Sequence, residues 1–536
     1  MVRLVSACSS RAAIVFLVCF VGLRSATATV VMGIGQNFRA STLGLDTTAL
    51  PPDSNGAVGP TNYVEFINGR FSVYDKVTTA RGRSITDLTF WSLAGVDIPA
   101  NWDVTDPRLI YDPLSQRWFA AQIDFDTTLN INSNHFLVAV STTADPTGPW
   151  KAFAITSDPT VLSTADFPTL GVDAKGVYLS GDMFDALGNF DGSVLVSIPK
   201  TNLLAATPSV ANYTRFSNLT MASRGVILQS AIAVDGSAGG NVLSTAGLGF
   251  DFGNGNPLTN TSLITFSVLN AAGPGGATLS SSTTLTVPGY TEPINPAQPG
   301  TTATVDDGDA RIGASVYRVN GILYAVHNTE VNGRAALRWY RINATSPAVL
   351  ESGTIADPVL NLFYPSIAAS TNGTVVIGCN GGSSSSYISC YAVLGETVNG
   401  VTHFGKLLLL KAGVASYDDG SGSSGSRWGD YSATSVDPAD PTSFWTIQMY
   451  PSGPSTWSTQ VTQLLTTQLR LNIARAGTNA LLSWTSFAGA AQLQTTSNAT
   501  LSNSWTVINP ARATNGNVIS VQLPAVQSVQ FFRLKL

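Results

Sequence analysis

The sequence DPRLIY at residues 106–111, followed after a short turn by RWFAA at 117–121, is one copy of a phrase that recurs along the chain. Each copy has a small or polar opening, a short apolar strand, a turn and a second strand that carries an aromatic residue. Other clear copies span 54–67 and 167–180, and later ones begin near Gln229, Ala310, Phe363 and Arg427. A spacing of roughly 50–80 residues matches one four-stranded blade per copy, so the repeat predicts a β-propeller.

We expect seven blades between about residues 37 and 465, with six as the alternative because the copy near Gln229 is the faintest. The composition favours an all-β fold, since Gly, Ser, Thr, Val and Asn are abundant and Asp greatly outnumbers Glu. These residues form strands and tight turns more readily than helices. The expected innermost strands lie near 54–59, 107–111, 168–173, 229–235, 311–317, 365–370 and 430–436.

The pattern changes near Gln468. Six short apolar segments follow between Leu469 and Leu534, separated by turn residues at intervals of about ten residues. Such spacing predicts a small β-sandwich over residues 467–536.

The first 28 residues have the pattern of a secretory signal peptide. Arg3 and Arg11 precede the apolar run Ala12–Leu23, and small residues end the segment at Ala28. No other stretch approaches the ~20 apolar residues that span a bilayer. We therefore expect an exported protein, secreted or held at the cell surface or in the periplasm, without a transmembrane segment in its mature chain.

The charge of the chain argues against a nucleic-acid partner. Its 33 acidic residues outnumber 28 basic ones, and no basic run occurs. Phosphate binding requires clustered Lys and Arg. Cys379 and Cys390 flank a Gly- and Ser-rich turn, and an oxidising compartment favours an intra-hairpin disulfide between them.

Two segments resemble known families. RWGDYS at 427–432 is similar to the closing blade of secreted bacterial propellers, most of them without an assigned function, and TADPTGPW at 143–150 resembles the Asp-box hairpin of sialidase-type propellers, with its glycine one position late. In that family the Asp-box implies a fold-stabilising turn remote from the catalytic site. The C-terminal LSW, SWTV and FFRL segments resemble fibronectin-III-like or immunoglobulin-like modules, which implies a spacer, adhesion or sorting role.

Arg108, Arg311 and Arg427 each lie beside an aspartate at a strand opening. If the blades are arranged as proposed, the three side chains face one solvent-open end of the central channel. The planar, paired N–H donors of arginine suit a carboxylate at that place. Sialidases resemble this arrangement, and that resemblance implies a Tyr nucleophile, a Glu partner and an Asp acid. The candidates for these roles are Tyr364 or Tyr431, Glu330, and Asp103 or Asp166. The alternative is that each arginine pairs with the aspartate of its own opening and joins neighbouring blades.

The Asp-rich turns suggest a second chemistry. Asp306, Asp307 and Asp309, and separately Asp418 and Asp419, supply the hard oxygens that Ca²⁺ prefers. Asp-Gly pairs are also ordinary turn formers. We expect no organic cofactor, with structural calcium as the possible bound ion.

Tryptophans near strand ends suggest either a carbohydrate-binding face or packing between blades. Six residues have this placement: Trp91, Trp102, Trp150, Trp428, Trp445 and Trp457. Trp428 is the one that we associate with the ligand arginines. The interpretation that follows is a secreted propeller that binds a carbohydrate or an extracellular partner, with a sialidase-like glycoside hydrolase as the alternative. The fold does not decide between a binding protein and an enzyme.

Overall fold

The computed structural model describes residues 2–6, 14–17, 30–128, 133–250, 256–273, 275–421, 425–501, 503–525 and 529–536. The chain divides into two compact units, Ile34–Leu464 and a second that combines Met1–Gly33 with Leu465–Leu536. Most of the predicted signal peptide lies outside the described residues; Val2–Ser6 and Ile14–Leu17 are strands. Within the described ranges, no helix has the length and apolar character needed to cross a membrane.

The larger unit is a β-propeller, and seven sheets form its blades in the part of the chain that the structure describes. Blade 1 contains Asn55–Val58, Asn62–Ile67, Arg70–Asp75 and Arg81–Ile85. Blade 2 contains Trp102–Asp112, Arg117–Asp126, His135–Ser141 and Trp150–Thr156. Blade 3 contains Ser163–Val172, Gly176–Asp185, Phe190–Pro199 and Thr214–Leu219.

The faint copy near Gln229 is a true blade, which excludes the six-bladed alternative. Blade 4 contains Val226–Ser230, Asn241–Thr245, Asn260–Leu269 and Thr283–Tyr290, and Thr278–Leu279 also pairs with its third strand. Blade 5 contains Tyr317–Val319, Ile322–Val331, Arg334–Asn343 and Ala348–Ile355. Ile232–Ala233, which follows the first strand of blade 4, pairs in parallel with the inner strand of blade 5, and this makes the repeat less clear at this point.

Blade 6 contains Asn361–Ala369, Thr374–Ser383, Ser386–Val398 and Val401–Phe404, and Leu408–Lys411 also pairs with its third strand. Blade 7 contains Ala433–Asp437, Asp440–Gly453, Thr456–Gln468 and Val30–Thr42. Its outer strand therefore comes from the start of the chain and its other strands from the end. This shared blade closes the ring.

A buried carboxyl joins the closing blade to blade 1. Glu65 is fully buried and accepts hydrogen bonds from the hydroxyls of Ser41 (2.6 Å), Tyr74 (3.1 Å) and Thr459. Burial raises its pKa, and the surrounding hydroxyls oppose that shift. Because Ser41 and Thr459 belong to the two outer strands of blade 7, Glu65 ties both ends of the chain to the first blade.

Short helices connect some of the strands. Asp87–Ala94 follows blade 1, and Thr86 caps it by accepting a hydrogen bond from the Thr89 N–H. The other helices are Lys200–Leu203 and Met221–Arg224, with a 3₁₀ turn at Ser486–Ala488.

The disulfide prediction was wrong. Cys379 and Cys390 lie on adjacent strands of blade 6, but Cys379 is opposite Tyr391 and Cys390 is opposite Asn380. Since consecutive side chains of a strand point to opposite faces, the two thiols lie on opposite sides of the sheet. Both are buried and free, Cys379 in the cluster between blades 5 and 6 and Cys390 with its Sγ 3.6 Å from the Met449 carbonyl oxygen of blade 7.

Five of the six tryptophans pack inside the propeller, and the sixth, Trp102, is half-buried. Trp91, Trp428, Trp445 and Trp457 are fully buried, and Trp150 is nearly so. Trp428 donates its indole N–H to Asn380 Oδ1 at 3.1 Å. The prediction that Trp428 binds a ligand is therefore wrong, because a ligand cannot reach its ring.

The smaller unit contains two sheets. One has the strands Asn472–Ala476, Asn479–Thr485, Val518–Pro524 and Ala513–Asn515; the other has Ile14–Leu17, Val2–Ser6, Val529–Lys535, Gln492–Thr496 and Thr506–Val507. Leu482, Trp484, Leu493 and Phe532 form its core. Two sheets around one apolar core make this unit a small β-sandwich.

Candidate functional site

The inner strands open on residues with an unusual backbone. Asp53, Asp106, Phe167, Ile227 and Tyr364 all have a positive φ between 46° and 60°. Asp53 lies just before the first strand of blade 1, and the other four lie within the first strands of their blades. In blades 2, 3, 4 and 6 the strand register shifts at this residue. Left-handed backbone is costly for side chains of this size, and most of all for a β-branched one such as Ile227. The end of the channel where the inner strands begin is here called the acidic mouth.

Arg108 lies on the channel axis. Its Nε donates to the Pro168 carbonyl oxygen of blade 3 at 2.8 Å and its NH1 to the Gly313 carbonyl oxygen before blade 5 at 2.9 Å. Its guanidinium carbon is 3.5 Å from the ring centroid of Tyr431 at the start of blade 7. A blade 2 side chain that reaches blades 3, 5 and 7 at once must cross the centre of the ring. Arg108 is buried there and forms, with Phe167, Ile227 and Tyr431, a plug across the channel.

The other two arginines lie above this plug. Arg311 pairs with Asp309 of its own opening at 2.7 Å and stacks 4.2 Å over the Phe167 ring. Arg427 is half-exposed and lies between Asp430 (3.1 Å) and Asp306 (3.4 Å). The structure thus brings Arg108 and Arg311 to the same aromatic ring, while Arg311 and Arg427 each have carboxylate partners.

Carboxyl groups from three blades meet beside these arginines. Carboxylate oxygens of Asp53, Asp106 and Asp430 all lie within 4.8 Å of one another. Asp53 accepts hydrogen bonds from the Asp430 N–H (3.0 Å) and from Asn68 Nδ2 (2.8 Å). Burial and the neighbouring carboxylates raise the pKa of Asp53 well above its ordinary value and that of Asp106 to about 7. Like charges this close favour a shared proton, so the group holds fewer than three negative charges near neutral pH.

Further acidic groups surround the mouth. Asp166 has an exposed side chain at the opening of blade 3. Burial raises the pKa of Asp309 to about 6, against the effect of Arg311, and that of Glu292 to about 7. Asp182 is buried, accepts a hydrogen bond from Ser193 Oγ at 2.7 Å and has its pKa raised to about 7 by burial. The mouth therefore combines excess acid with arginines that already have partners.

The residues proposed for hydrolysis are not assembled for it. The Tyr431 hydroxyl donates to the Pro107 carbonyl oxygen at 3.0 Å and its ring lies under Arg108, while burial raises the pKa of both Tyr431 and Tyr364. Glu330 accepts from the Gly333 N–H in a turn of blade 5. Asp103 accepts from the N–H of Val104, the next residue. A nucleophile needs a base within hydrogen-bond reach, and the contacts of the described residues give neither tyrosine such a partner.

The opposite end of the channel, where the inner strands finish, contains a larger cavity of ≈ 250 Å³. Its walls are mainly apolar and come from blades 1, 2, 5, 6 and 7 and from the segment that follows the first strand of blade 4. The side chains that shape it include Ile110, Tyr111, Val234, Tyr317, Val436 and Pro438. Exposed Thr371 and Pro441 also line it, so it reaches the surface. We name it the apolar cavity.

Sequence reasoning singled out the arginines but missed Asp53, Asp182 and this cavity. A signal for the bulge was present, because Asp106, Phe167 and Tyr364 each precede proline, which disfavours helical backbone in the residue before it. The apolar cavity has no comparable signal, since its walls are ordinary strand residues that become neighbours only when the ring closes.

No protein-family model matches the chain, and no curated protein sequence is similar to it. Solved structures similar to it include extracellular domains 1–2 of Drosophila Semaphorin 1b (8% identity, TM-score 0.37, 81% of this chain and 87% of that one). A protein of unknown function from Dyadobacter fermentans is similar at 11% identity and TM-score 0.35, over 68% of this chain and 96% of that one. Trypanosoma rangeli sialidase is similar at 12% identity and TM-score 0.31, over 67% of this chain and 54% of that one. Values this low carry no inference about activity or partner.

Proposed function

We propose that this chain is an exported binding protein, and that it recognises an extracellular protein by taking an apolar side chain of that partner into the apolar cavity. The sandwich unit then serves as a spacer or attachment module. The observation that carries the proposal is the cavity itself, which has ≈ 250 Å³ of space and an apolar wall that reaches the surface.

The size and chemistry of the cavity suit a side chain. A Leu, Phe or Trp side chain that leaves water for such a wall gains about 1.5–3 kcal/mol, which is the contribution of a strong interface anchor. Tyr111, Tyr317 and the prolines at 113, 438 and 441 present rigid surfaces that lose little entropy on binding. Most interface energy comes from a few such anchors in desolvated pockets.

A sugar is a poorer fit to this wall than an apolar side chain. The tryptophans expected to stack on sugar rings are mostly buried between blades. The polar groups at the cavity are few, and Asp437 among them is already paired with Lys76 at 2.8 Å. A pyranose ring requires many hydrogen bonds to replace its hydration, and this wall supplies few.

Selection from a random peptide library on the immobilised chain tests the proposal. We expect enriched peptides to share one large apolar residue, and we expect Val436→Phe, which fills the cavity, to weaken their binding at least tenfold. Leu187→Phe is the matched control, since Leu187 is exposed on the turn between the second and third strands of blade 3.

Peptides that bind Val436→Phe and the unmodified chain equally would contradict the assignment of the cavity. A glycan array run in parallel gives the competing outcome. Glycan binding that is lost in Val436→Phe, without any peptide enrichment, would replace the protein partner with a carbohydrate.

A further inference from the structure

A second, much smaller cavity of ≈ 20 Å³ lies in the acidic mouth, where the openings of blades 5, 6 and 7 meet. Its wall includes Asp309, Arg311, Asn328, Tyr364 and Asp430. A space of about 10–15 Å³ is enough for one water-sized occupant, so the cavity admits a single water molecule or ion.

Two side chains of this wall are buried and lack a partner among the described residues. Asn328 is 3% exposed and Tyr364 is 5% exposed, yet Asn328 Oδ1 and the Tyr364 hydroxyl have no hydrogen-bond partner. The amide nitrogen of Asn328 donates to the Asp307 carbonyl oxygen, which leaves its Oδ1 as the free acceptor. Buried polar atoms without partners are rare, and each one destabilises the folded chain.

The neighbouring segment 306–309 also contains buried polar atoms without hydrogen-bond partners among the described residues. Asp307 is fully buried, and neither of its carboxylate oxygens has a partner within the described part of the chain. Burial and the charge of Asp306 raise its pKa well above the ordinary value. Its neighbours Gly308 and Asp309 line the cavity directly.

The charges around the cavity do not balance. Arg311 pairs with Asp309, and Arg427 lies between Asp306 and Asp430. Asp307 and Glu292 form no ion pair within the described part of the chain, and burial together with acidic neighbours raises the pKa of each. A positive charge in the cavity would compensate them.

We propose that this cavity binds one Ca²⁺ ion through oxygen atoms of Asn328, Tyr364 and the 306–309 segment. Ca²⁺ prefers carboxylate and amide oxygens in irregular geometry. Asn328 Oδ1, the Tyr364 hydroxyl and the Asp307 carboxylate are oxygens left without partners in the described part of the chain. A nitrogen-preferring metal such as Zn²⁺ is disfavoured, because both ring nitrogens of His327 have hydrogen-bond partners, Nδ1 the Asn328 carbonyl oxygen at 2.6 Å and Nε2 the Tyr340 hydroxyl at 3.0 Å.

The ion would hold together elements that are far apart in the chain. Residues 306–309 belong to the long connection into blade 5, Asn328 to the second strand of that blade and Tyr364 to the opening of blade 6. The Asp306 N–H donates to the Ser426 carbonyl oxygen at 2.9 Å, so this connection also contacts the segment before blade 7. Ca²⁺ would thus fix the loops that form the acidic mouth, whether or not the apolar cavity binds a protein.

Terbium luminescence of the metal-stripped full chain tests the site. Tb³⁺ replaces Ca²⁺ and emits when a nearby tyrosine is excited, and Tyr364 lines the cavity. We expect saturable emission that Ca²⁺ displaces at concentrations at least tenfold lower than Mg²⁺, and a rise in Tm of several degrees with Ca²⁺ at about 100 times its Kd. Absence of emission together with a Tm that is insensitive to Ca²⁺ would show that the cavity contains water.

The Asp307→Asn variant distinguishes a metal-binding role of Asp307 from a purely structural role. Without Ca²⁺ we expect its Tm to equal or exceed that of the unmodified chain, because a buried carboxyl is removed, while the Ca²⁺-dependent rise disappears. Asp418→Asn, in the other Asp-rich turn, is the matched control and should keep the full rise. A rise that survives Asp307→Asn, or that is lost in Asp418→Asn instead, would overturn the assignment. If Asp307→Asn does not fold, Tyr364→Phe removes only a hydroxyl and should weaken Tb³⁺ binding severalfold; unchanged binding would then contradict the site.

Discussion

At the scale of single residues, the arginines show how little a residue type says about its role. Arg108, Arg311 and Arg427 have the same sequence surroundings, an aspartate within three positions. Arg108 nevertheless lies buried on the axis, Arg311 forms a local ion pair, and Arg427 is half-exposed at the rim. Arg108 is therefore a structural plug, and Arg427 is the one of the three that an anion could approach.

Arg108→Ala tests this distinction. It leaves the Pro168 and Gly313 carbonyl oxygens without a donor and removes the contact with Tyr431, so we expect a loss of about 2–4 kcal/mol in the free energy of unfolding. Arg427→Ala is the comparison and should cost less than about 1 kcal/mol, because its ion pairs are solvent-exposed. Urea denaturation measures both. Similar losses for the two variants would show that Arg108 does not hold the channel closed.

The raised pKa of Asp182 makes the stability of the fold depend on pH. Burial raises its pKa to about 7 in the folded chain, whereas an unfolded aspartate titrates near 3.9. The folded state binds the proton more tightly, so the contribution of Asp182 to stability is complete below about pH 4 and is lost as the pH rises toward 7.

Asp182→Asn should make the fall in Tm between about pH 5 and pH 7.5 shallower, with the variant gaining relative to the unmodified chain at the higher pH. The control is Asp75→Asn. Asp75 is half-buried, its pKa is lowered by hydrogen bonds from Thr78, and it does not titrate in this window. An identical slope in all three proteins would mean that Asp182 is already ionised in the fold.

At the scale of strands, alternation decides what neighbouring residues can do. The 379–390 spacing suggested a disulfide across the hairpin, but the register puts the two thiols on opposite faces of the sheet. The sequence gives the strand positions closely enough, yet a shift of one residue in register reverses every face. The turn that pairs Ser383 with Ser386 would by itself place Cys379 opposite Cys390, but the pairing shifts by one residue between Gly381 and Ser383, and the sequence gives no signal for that shift.

We expect Cys379 and Cys390 to be free thiols that are protected by burial. Alkylation followed by mass spectrometry should label neither of them in the native protein and both of them after denaturation without reductant. Reductant should leave Tm unchanged. If both cysteines are labelled only after reduction, a disulfide joins them and the expectation is wrong.

At the scale of the whole molecule, closure of the ring depends on contacts between the two ends of the propeller sequence. Glu65 of blade 1 accepts hydroxyl donors from Ser41 and Thr459, which are far apart in sequence. Lys76 of blade 1 also pairs with Asp437 of blade 7 at 2.8 Å. These contacts exist only once the first strand has completed the last blade.

Glu65→Ala should therefore lower the free energy of unfolding by about 2–4 kcal/mol, because three hydroxyls lose their acceptor in a buried place. Glu65→Gln keeps an acceptor oxygen and removes a carboxyl whose pKa is raised, so we expect it to retain most of the stability. Chemical denaturation compares the two. Equal losses in Ala and Gln would assign the effect to the charge of Glu65 and not to its hydrogen bonds.

The sequence by itself determined the all-β class, the repeat and the position of most inner strands, because apolar alternation and turn residues act over short stretches of chain. It also placed acidic and basic residues at the strand openings. Only the tertiary structure decided that there are seven blades, that Arg108 crosses the axis, that Cys379 and Cys390 face apart, and that an apolar cavity lies at the far end of the channel. Each of these depends on which blades meet across the ring or on the register of two strands. These contacts and strand registers involve residues far apart in the chain, and a local sequence pattern does not predict them.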